Sequence, residues 1–333
     1  MQFETRRIGQ TDLNVTTLGL GSATLGGIHE PVTDSDGRIL VLDGYDSGIR
    51  YFDTAPFYGY GKSEHIVGDV LRYKPDYVLS SKVGRLLKPR RSPQAPGDNW
   101  REPFPFEGPF DYTYDGIMRS YEDSLQRLGL DRIDILYIHS LDSYDQGSDE
   151  KRDAAFRIAM DGAYPALDEL RTRGDIKAFG LGINEGPPIV TAMEHGRWDV
   201  FLLAGRYTLL EHEPLHTVFP AVEKHGASLV IGGPFNSGVL VGRETWNYSR
   251  APEAIMARVR RIATVCDAHN VALPAAALQF LIAHPLVSSV VPGPRTATEL
   301  NQILEWWAAP IPAALWRDLK SEGLLDSAAP VPT

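Results

Sequence analysis

Glycine-stopped helical stretches alternate with short apolar runs along this chain, and that alternation limits its fold more than any single motif. Asp46-Ser47-Gly48 precedes Ile49-Arg50-Tyr51-Phe52, Arg127-Leu128-Gly129 precedes the run 133–138, Arg173-Gly174 precedes 176–179, and His225-Gly226 precedes 228–231. Glycine accepts the left-handed conformation that stops a helix, and continuous apolar runs suit strands covered on both faces. Runs near residues 16–20, 50–53, 77–82, 133–139, 176–181, 199–203, 228–232 and 288–292 predict eight strands, with helix-forming stretches such as 114–128 and 165–173 between them. Eight parallel strands with intervening helices close into an α/β (β/α)8 barrel, or TIM barrel, whereas a doubly wound sheet normally stops sooner. The 333 residues suit one barrel domain spanning 1–333.

Three stretches fall outside the repeat. Residues 1–14 read as a short polar hairpin, 234–252 as a loop, and 84–112 as a longer loop. The last carries Pro89, Pro93, Pro96, Pro103, Pro105 and Pro109 with Trp100, Phe104, Phe106, Phe110 and Tyr112. A loop of this length with that aromatic load is expected to act as a lid on the rim of the barrel. Its basic residues Arg85, Lys88, Arg90 and Arg91 read as a solvated charged face.

The formal charge of -10 argues against a nucleic-acid partner, which needs a concentrated basic face. Cys266 is the single cysteine, so neither an internal disulfide nor a cysteine metal cluster can form, which fits a reducing compartment. The start, Met1-Gln2-Phe3-Glu4-Thr5-Arg6-Arg7, lacks a signal-peptide apolar stretch, and no run is long enough to span a bilayer. The expectation is a cytoplasmic protein without a membrane partner.

Asp53, Lys82 and His139 each end an apolar run, and Tyr58 follows Asp53 in the adjoining loop. In a barrel of this kind the strand ends share one rim, where active sites assemble. Singly, each has a plainer role: Asp53 as a helix cap, Tyr58 as a half-buried aromatic, His139 as a core histidine. Lys82 is different, because a lysine ending a buried strand demands a carboxylate, and Asp53 is well placed. A phenol titrating near pH 10 is a poor base. An ammonium about 4 Å away favours the phenolate by roughly 4 kcal/mol at an effective dielectric of about 20. Burial opposes this, and the arithmetic predicts a smaller net downward shift for Tyr58. No serine or cysteine stands beside a matching base, so proton transfer at a carbonyl or hydroxyl is the expected chemistry, with a cofactor needed for any hydride step.

With these residues in place, the chain resembles the aldo-keto reductase superfamily. The resemblance runs from Leu18-Gly19-Leu20-Gly21-Ser22 and Phe52-Asp53-Thr54-Ala55 through Gly61-Lys62-Ser63-Glu64 to Val291-Pro292-Gly293. The stretch 231–240, Ile-Gly-Gly-Pro-Phe-Asn-Ser-Gly-Val-Leu, is similar to the bacterial sugar-oxidising branch, the L-fucose and D-threo-aldose 1-dehydrogenases, with pyridoxal 4-dehydrogenase close by. The resemblance implies Tyr58 as acid/base, Lys82 and Asp53 as its tuning pair, and His139 as the group that orients the substrate. It also implies a nicotinamide dinucleotide across the rim. Asn184 would meet the carboxamide, Gly21 and Ser22 the nicotinamide ribose, and Ser237, Gly238 and Leu240 the pyrophosphate, with Pro234 beside them. Three positions depart from the common pattern. Ile183 replaces a frequent serine, Ala204 the usual glutamine, and Gly232 an aromatic that stacks on nicotinamide.

Arg295 and Glu299 open the last barrel helix, where the resemblance places the adenosine 2′ group. A carboxylate there accepts from a ribose hydroxyl and repels a 2′-phosphate, which predicts NAD, with NADP possible through Arg295. Alternatively, Thr296 and Glu299 form a capping box, with Glu299 bonding the Thr296 amide. The expected activity is aldose 1-dehydrogenation, with pyridoxal 4-dehydrogenation or general aldehyde reduction as alternatives. Two other classes are a non-catalytic nicotinamide-binding regulator, which would bind NADH without turnover, and a metal-dependent hydrolase. The hydrolase is disfavoured because no His-x-His pair follows the first strand. The sequence leaves the oligomeric state open.

Overall fold

The computed structural model describes residues 2–91 and 99–332. A parallel barrel sheet runs in the order β1 (Leu20–Gly21), β2 (Tyr51–Asp53), β3 (Val78–Val83), β4 (Ile135–His139), β5 (Ala178–Ile183), β6 (Val200–Ala204), β7 (Ser228–Gly232) and β8 (Val287–Val291). It closes where Leu18 bridges Val290 in parallel, and Gly19 and Gly21 donate to the carbonyls of Val290 and Pro292 at 2.9 Å. The first strand is shorter than its apolar run predicts, because residues 14–16 are drawn off to pair with Thr5–Arg7 in an antiparallel hairpin.

Successive strand side chains alternate between the barrel interior and the surrounding helices. Tyr51, Ile135, Tyr137, Ala178, Val200 and Val230 fill the interior, joined by Ile8 and Val15 of the hairpin, which stoppers the amino-terminal end. Phe52, Leu79, Leu136, Ile138 and Leu203 face the helices. The same alternation turns Asp53, Lys82 and His139 inward at the opposite end. Helix Tyr114–Leu128 shows how local sequence sets an element. Thr113 Oγ1 accepts from Gly116 N at 3.1 Å at its start, and Gly129, at φ 62°, stops it.

Both long loops hold more structure than expected. Segment 84–112 contains a small hairpin of Lys88–Pro89 with Phe106–Glu107 and a bridge between Arg85 and Phe110; Pro93 and Pro96 lie outside the described residues. Trp100 bridges back to Ile28. Arg85 is not a solvated charge, as its sequence setting predicted. Its guanidinium lies 3.8 Å from the Phe57 ring centroid and 4.1 Å from that of Phe110, because the loop folds its aromatics over the rim. Segment 234–252 forms a 3-10 turn, Asn236–Val241, and a second hairpin, Thr245–Trp246 with Ser249–Arg250.

Candidate active site

Lys82 and Asp53 come from neighbouring inward positions of β3 and β2. Lys82 Nζ donates to Asp53 Oδ2 at 2.7 Å and to the Thr54 carbonyl at 2.9 Å. Beneath them a chain of hydroxyls fixes the carboxylate. Ser80 Oγ donates to Asp53 Oδ1 at 2.7 Å, Tyr51 O–H meets Ser80 Oγ at 3.0 Å, and Tyr137 O–H meets Tyr51 at 3.0 Å. Burial pushes the Tyr51 and Tyr137 phenols up, so both remain neutral donors at ordinary pH. Burial also pulls the Lys82 ammonium down, while Asp53 holds it up.

Tyr58 follows β2 in a turn closed by its amide bonding Ala55 O at 3.2 Å. Lys82 Nζ lies 4.6 Å from the centre of the Tyr58 ring, and the His139 ring stands edge-on at 5.9 Å. The structure reverses the expected sign at Tyr58. Burial is the largest influence and drives its phenol well above the usual value, and Asp53 and Asp145 push it the same way. Burial, then Lys82 and Arg85, drive His139 well below its usual value, so its imidazole is neutral. Among the described residues, His139 Nδ1 is buried without a hydrogen-bond partner.

Two adjoining cavities meet at Tyr58. One, of about 320 Å³, is lined by Tyr58, Lys82, His139 and Asn184. The other, of about 380 Å³, takes in Gly21, Gly232, Pro234, Ser237 and Gly238, and reaches Arg295 and Glu299. Ser22 and Leu240 are set back from both. Ser22 is buried, and its hydroxyl donates to the Asp53 carbonyl at 2.7 Å and accepts from Ser63. Leu240 belongs to the apolar core, with its amide bonded to the Phe235 carbonyl.

Sequence reasoning passed over Tyr248. It lines both cavities, and its hydroxyl donates to Asn184 Oδ1 at 3.2 Å. The other end of Asn184 is also held: its amide and Nδ2 donate to Asp142 Oδ2 at 2.8 and 3.2 Å. A hairpin returning to the rim from far along the chain leaves no periodic signal, so only the length of the insertion pointed to it.

At the far end of the larger cavity, Arg295 Nη1 donates to Glu30 at 2.8 Å and its Nη2 to Glu299 at 3.1 Å; Arg243 meets the same two carboxylates at 3.1 and 3.6 Å. Half of the expected capping box forms, with Thr296 Oγ1 accepting from Glu299 N. The Glu299 carboxylate bonds the amide of Arg295, not that of Thr296.

The family model described as the Aldo/keto reductase family matches residues 17–322. The chain is 44% identical to pyridoxal 4-dehydrogenase of Microbacterium luteolum, covering 97% of this chain and 98% of that one. It is 37% identical to D-threo-aldose 1-dehydrogenase of a Pseudomonas species, covering 94% and 95%. Among solved structures, it resembles the holo form of aldo-keto reductase AKR11C1 from Bacillus halodurans, with a TM-score of 0.72 at 24% identity over 98% of each chain. The glycerol dehydrogenase AKR11B4 from Gluconobacter oxydans gives 0.74 at 21% identity over 100% and 98%. At these identities the structural likeness speaks to the fold.

Proposed function

The chain belongs to the aldo/keto reductase family and is an NAD(P)-dependent oxidoreductase acting on small carbonyl or sugar substrates; from that premise we propose that it oxidises a cyclic hemiacetal hydroxyl to a lactone, with an aldose as substrate and NAD as acceptor. The observation that carries this reading is the position of Tyr58 in the wall common to both cavities, with the Lys82–Asp53 pair at its ring. In the forward step the O–H and C–H bonds of the hemiacetal carbon break and a C=O forms. Tyr58 as phenolate takes the proton. The neutral His139 hydrogen-bonds the oxygen that becomes the carbonyl, and Lys82 offsets the negative charge of the phenolate.

The larger cavity fits a dinucleotide by the chemistry of its wall. Glycines and the turn at Ser237 and Gly238 offer close backbone approach, and the two arginines end the cleft. Gly21, Gly232, Pro234, Ser237 and Gly238 would hold the cofactor in its middle reach, with Arg295 and Glu299 at the adenosine end. Bound nicotinamide supplies the hydride acceptor. Tyr248 lines the same cavity as Gly232. Both arginines are already paired with Glu30 and Glu299, so a 2′-phosphate would compete with two carboxylates. This supports NAD over NADP.

Pyridoxal is a second substrate reading, favoured by the higher identity to the pyridoxal enzyme. In water it closes to a cyclic hemiacetal, as aldoses do, so one site chemistry serves both. The test is a screen with NAD against L-fucose, D-arabinose, L-galactose and pyridoxal, followed by reduced-nicotinamide absorbance and lactone detection. Lactone formation from a sugar supports the proposal. NADH binding without turnover of any of them would remove it and favour a cofactor-reading regulator.

A further inference from the structure

The cavity around Tyr58 and His139 has a chemical bias that these two residues do not impose. Its walls include four rings, those of Phe57, Trp100, Tyr144 and Tyr248, and the side chain of Asp145 also borders it. Asp145 lies on the short helix Ser143–Gln146, just downstream of His139. Asp142 fixes this helix, its Oδ1 accepting from Asp145 N at 2.9 Å while its Oδ2 holds Asn184.

The cation nearest to Asp145 is Arg85, at 3.7 Å, which is beyond hydrogen-bond distance. Arg85 does not line the cavity. Its side chain is 10% exposed, lies between the Phe57 and Phe110 rings, and donates from Nη2 to Ser140 Oγ at 3.3 Å. Lys82, the ammonium in the cavity wall, is already committed to Asp53 and Thr54. Both cations are thus engaged with the protein, while a carboxylate that among the described residues has only the distant Arg85 as ion-pair partner borders an aromatic-walled space. In such a setting a carboxylate is a strong acceptor for O–H and N–H donors and repels anions.

We propose that Asp145 sets the charge specificity of this cavity: it accepts a hydrogen bond from an uncharged or cationic ring substrate and turns away the phosphorylated or carboxylated counterpart. The proposal rests on the dehydrogenase reading for the identity of the cavity. It adds the substrate class, an unphosphorylated ring with a donor group facing Asp145.

The test uses benzaldehydes of matched size carrying a para carboxylate, carboxamide or trimethylammonium group, reduced with NADH by the wild-type enzyme and by Asp145→Asn. The wild type is expected to favour the amide and the ammonium over the carboxylate by about a hundredfold in kcat/KM, as a like charge in contact costs several kcal/mol. In Asp145→Asn that ratio falls by at least about tenfold, chiefly through KM. Competitive inhibition of the wild type by benzamidine, benzamide and benzoate reads the same preference without any variant. Equal handling of the three aldehydes, or benzoate binding as tightly as benzamidine, overturns the proposal. Failure of the sugar and pyridoxal screen ends the lactone-forming reading but leaves the charge ratio standing, so the two ideas fail separately.

Discussion

The Lys82 ammonium donates to the Asp53 carboxylate at 2.7 Å with side chains only 2% and 4% exposed. Two buried ions are tolerable because each is answered on more than one side: Ser80 also bonds Asp53, and Thr54 O also accepts from Lys82. Removing one partner strands the other.

Lys82→Met is therefore expected to destabilise the fold by about 3–5 kcal/mol, the usual cost of leaving a buried charge unpaired. The double variant Lys82→Met with Asp53→Leu should recover part of that loss. Denaturant titrations of Lys82→Met, Asp53→Leu and the double variant check it. A double-variant loss equal to the sum of the singles would contradict the coupling.

Tyr58→Phe should lower the catalytic rate by roughly two to four orders of magnitude, the usual worth of a general acid/base. Its cofactor affinity and melting temperature should stay near wild type. Near-full turnover would withdraw the role proposed for Tyr58.

Because burial pushes the Tyr58 phenol up, the free enzyme holds it protonated at neutral pH. In the proposed oxidation the Tyr58 phenolate takes the proton, so kcat/KM for a sugar should climb as pH rises toward the phenol pKa. Reduction uses the phenol and should stay level over the same range, falling only in strong alkali. Initial rates in both directions between about pH 6 and 10 report the free-enzyme groups. An oxidative profile that falls as pH rises would exclude a raised Tyr58.

Glu30→Gln with Glu299→Gln frees Arg243 and Arg295 from their carboxylates. The ratio of catalytic efficiencies should move toward NADP by at least about tenfold, since a phosphate then meets two arginines without a competitor. An unmoved ratio would place cofactor choice elsewhere.

Gly180 sits where β5 passes β6, and a Cβ there would lie 1.5 Å from the Val200 carbonyl oxygen. Gly180→Ala should cost at least about 1–3 kcal/mol, because neither strand can retreat within a closed barrel. Thermal unfolding measures it.

The barrel and its rim residues were legible from local pattern, because glycine-stopped helices alternate with apolar runs and Asp53, Lys82 and His139 each end one. The alternation that turns them inward above Tyr51, Ser80 and Tyr137 is a property of the folded strands. Arg85 defeated local pattern, since a charged residue in a loop carries no sign that Phe57 and Phe110 will enclose it. The sign of the Tyr58 shift was misjudged for a related reason. The attraction of Lys82 is readable from neighbouring strands, but desolvation depends on loops that fold back over the rim, Trp100 among them. Tyr248 and Asn184 meet only in three dimensions, and the Glu299 carboxylate chose the Arg295 amide over the cap that local spacing suggested.

Leu18 and Val290 join the opening and closing strands of the cylinder. As a nascent chain leaves the ribosome, the edge of β1 must wait without its partner until Val287–Val291 has been synthesised. The larger cavity draws its wall from Gly21 at one end of that seam and from Gly293, Arg295 and Glu299 at the other. The cavity proposed to hold the dinucleotide is thus completed only once both edges of the seam have been made, and cofactor capture there can report that synthesis has passed it.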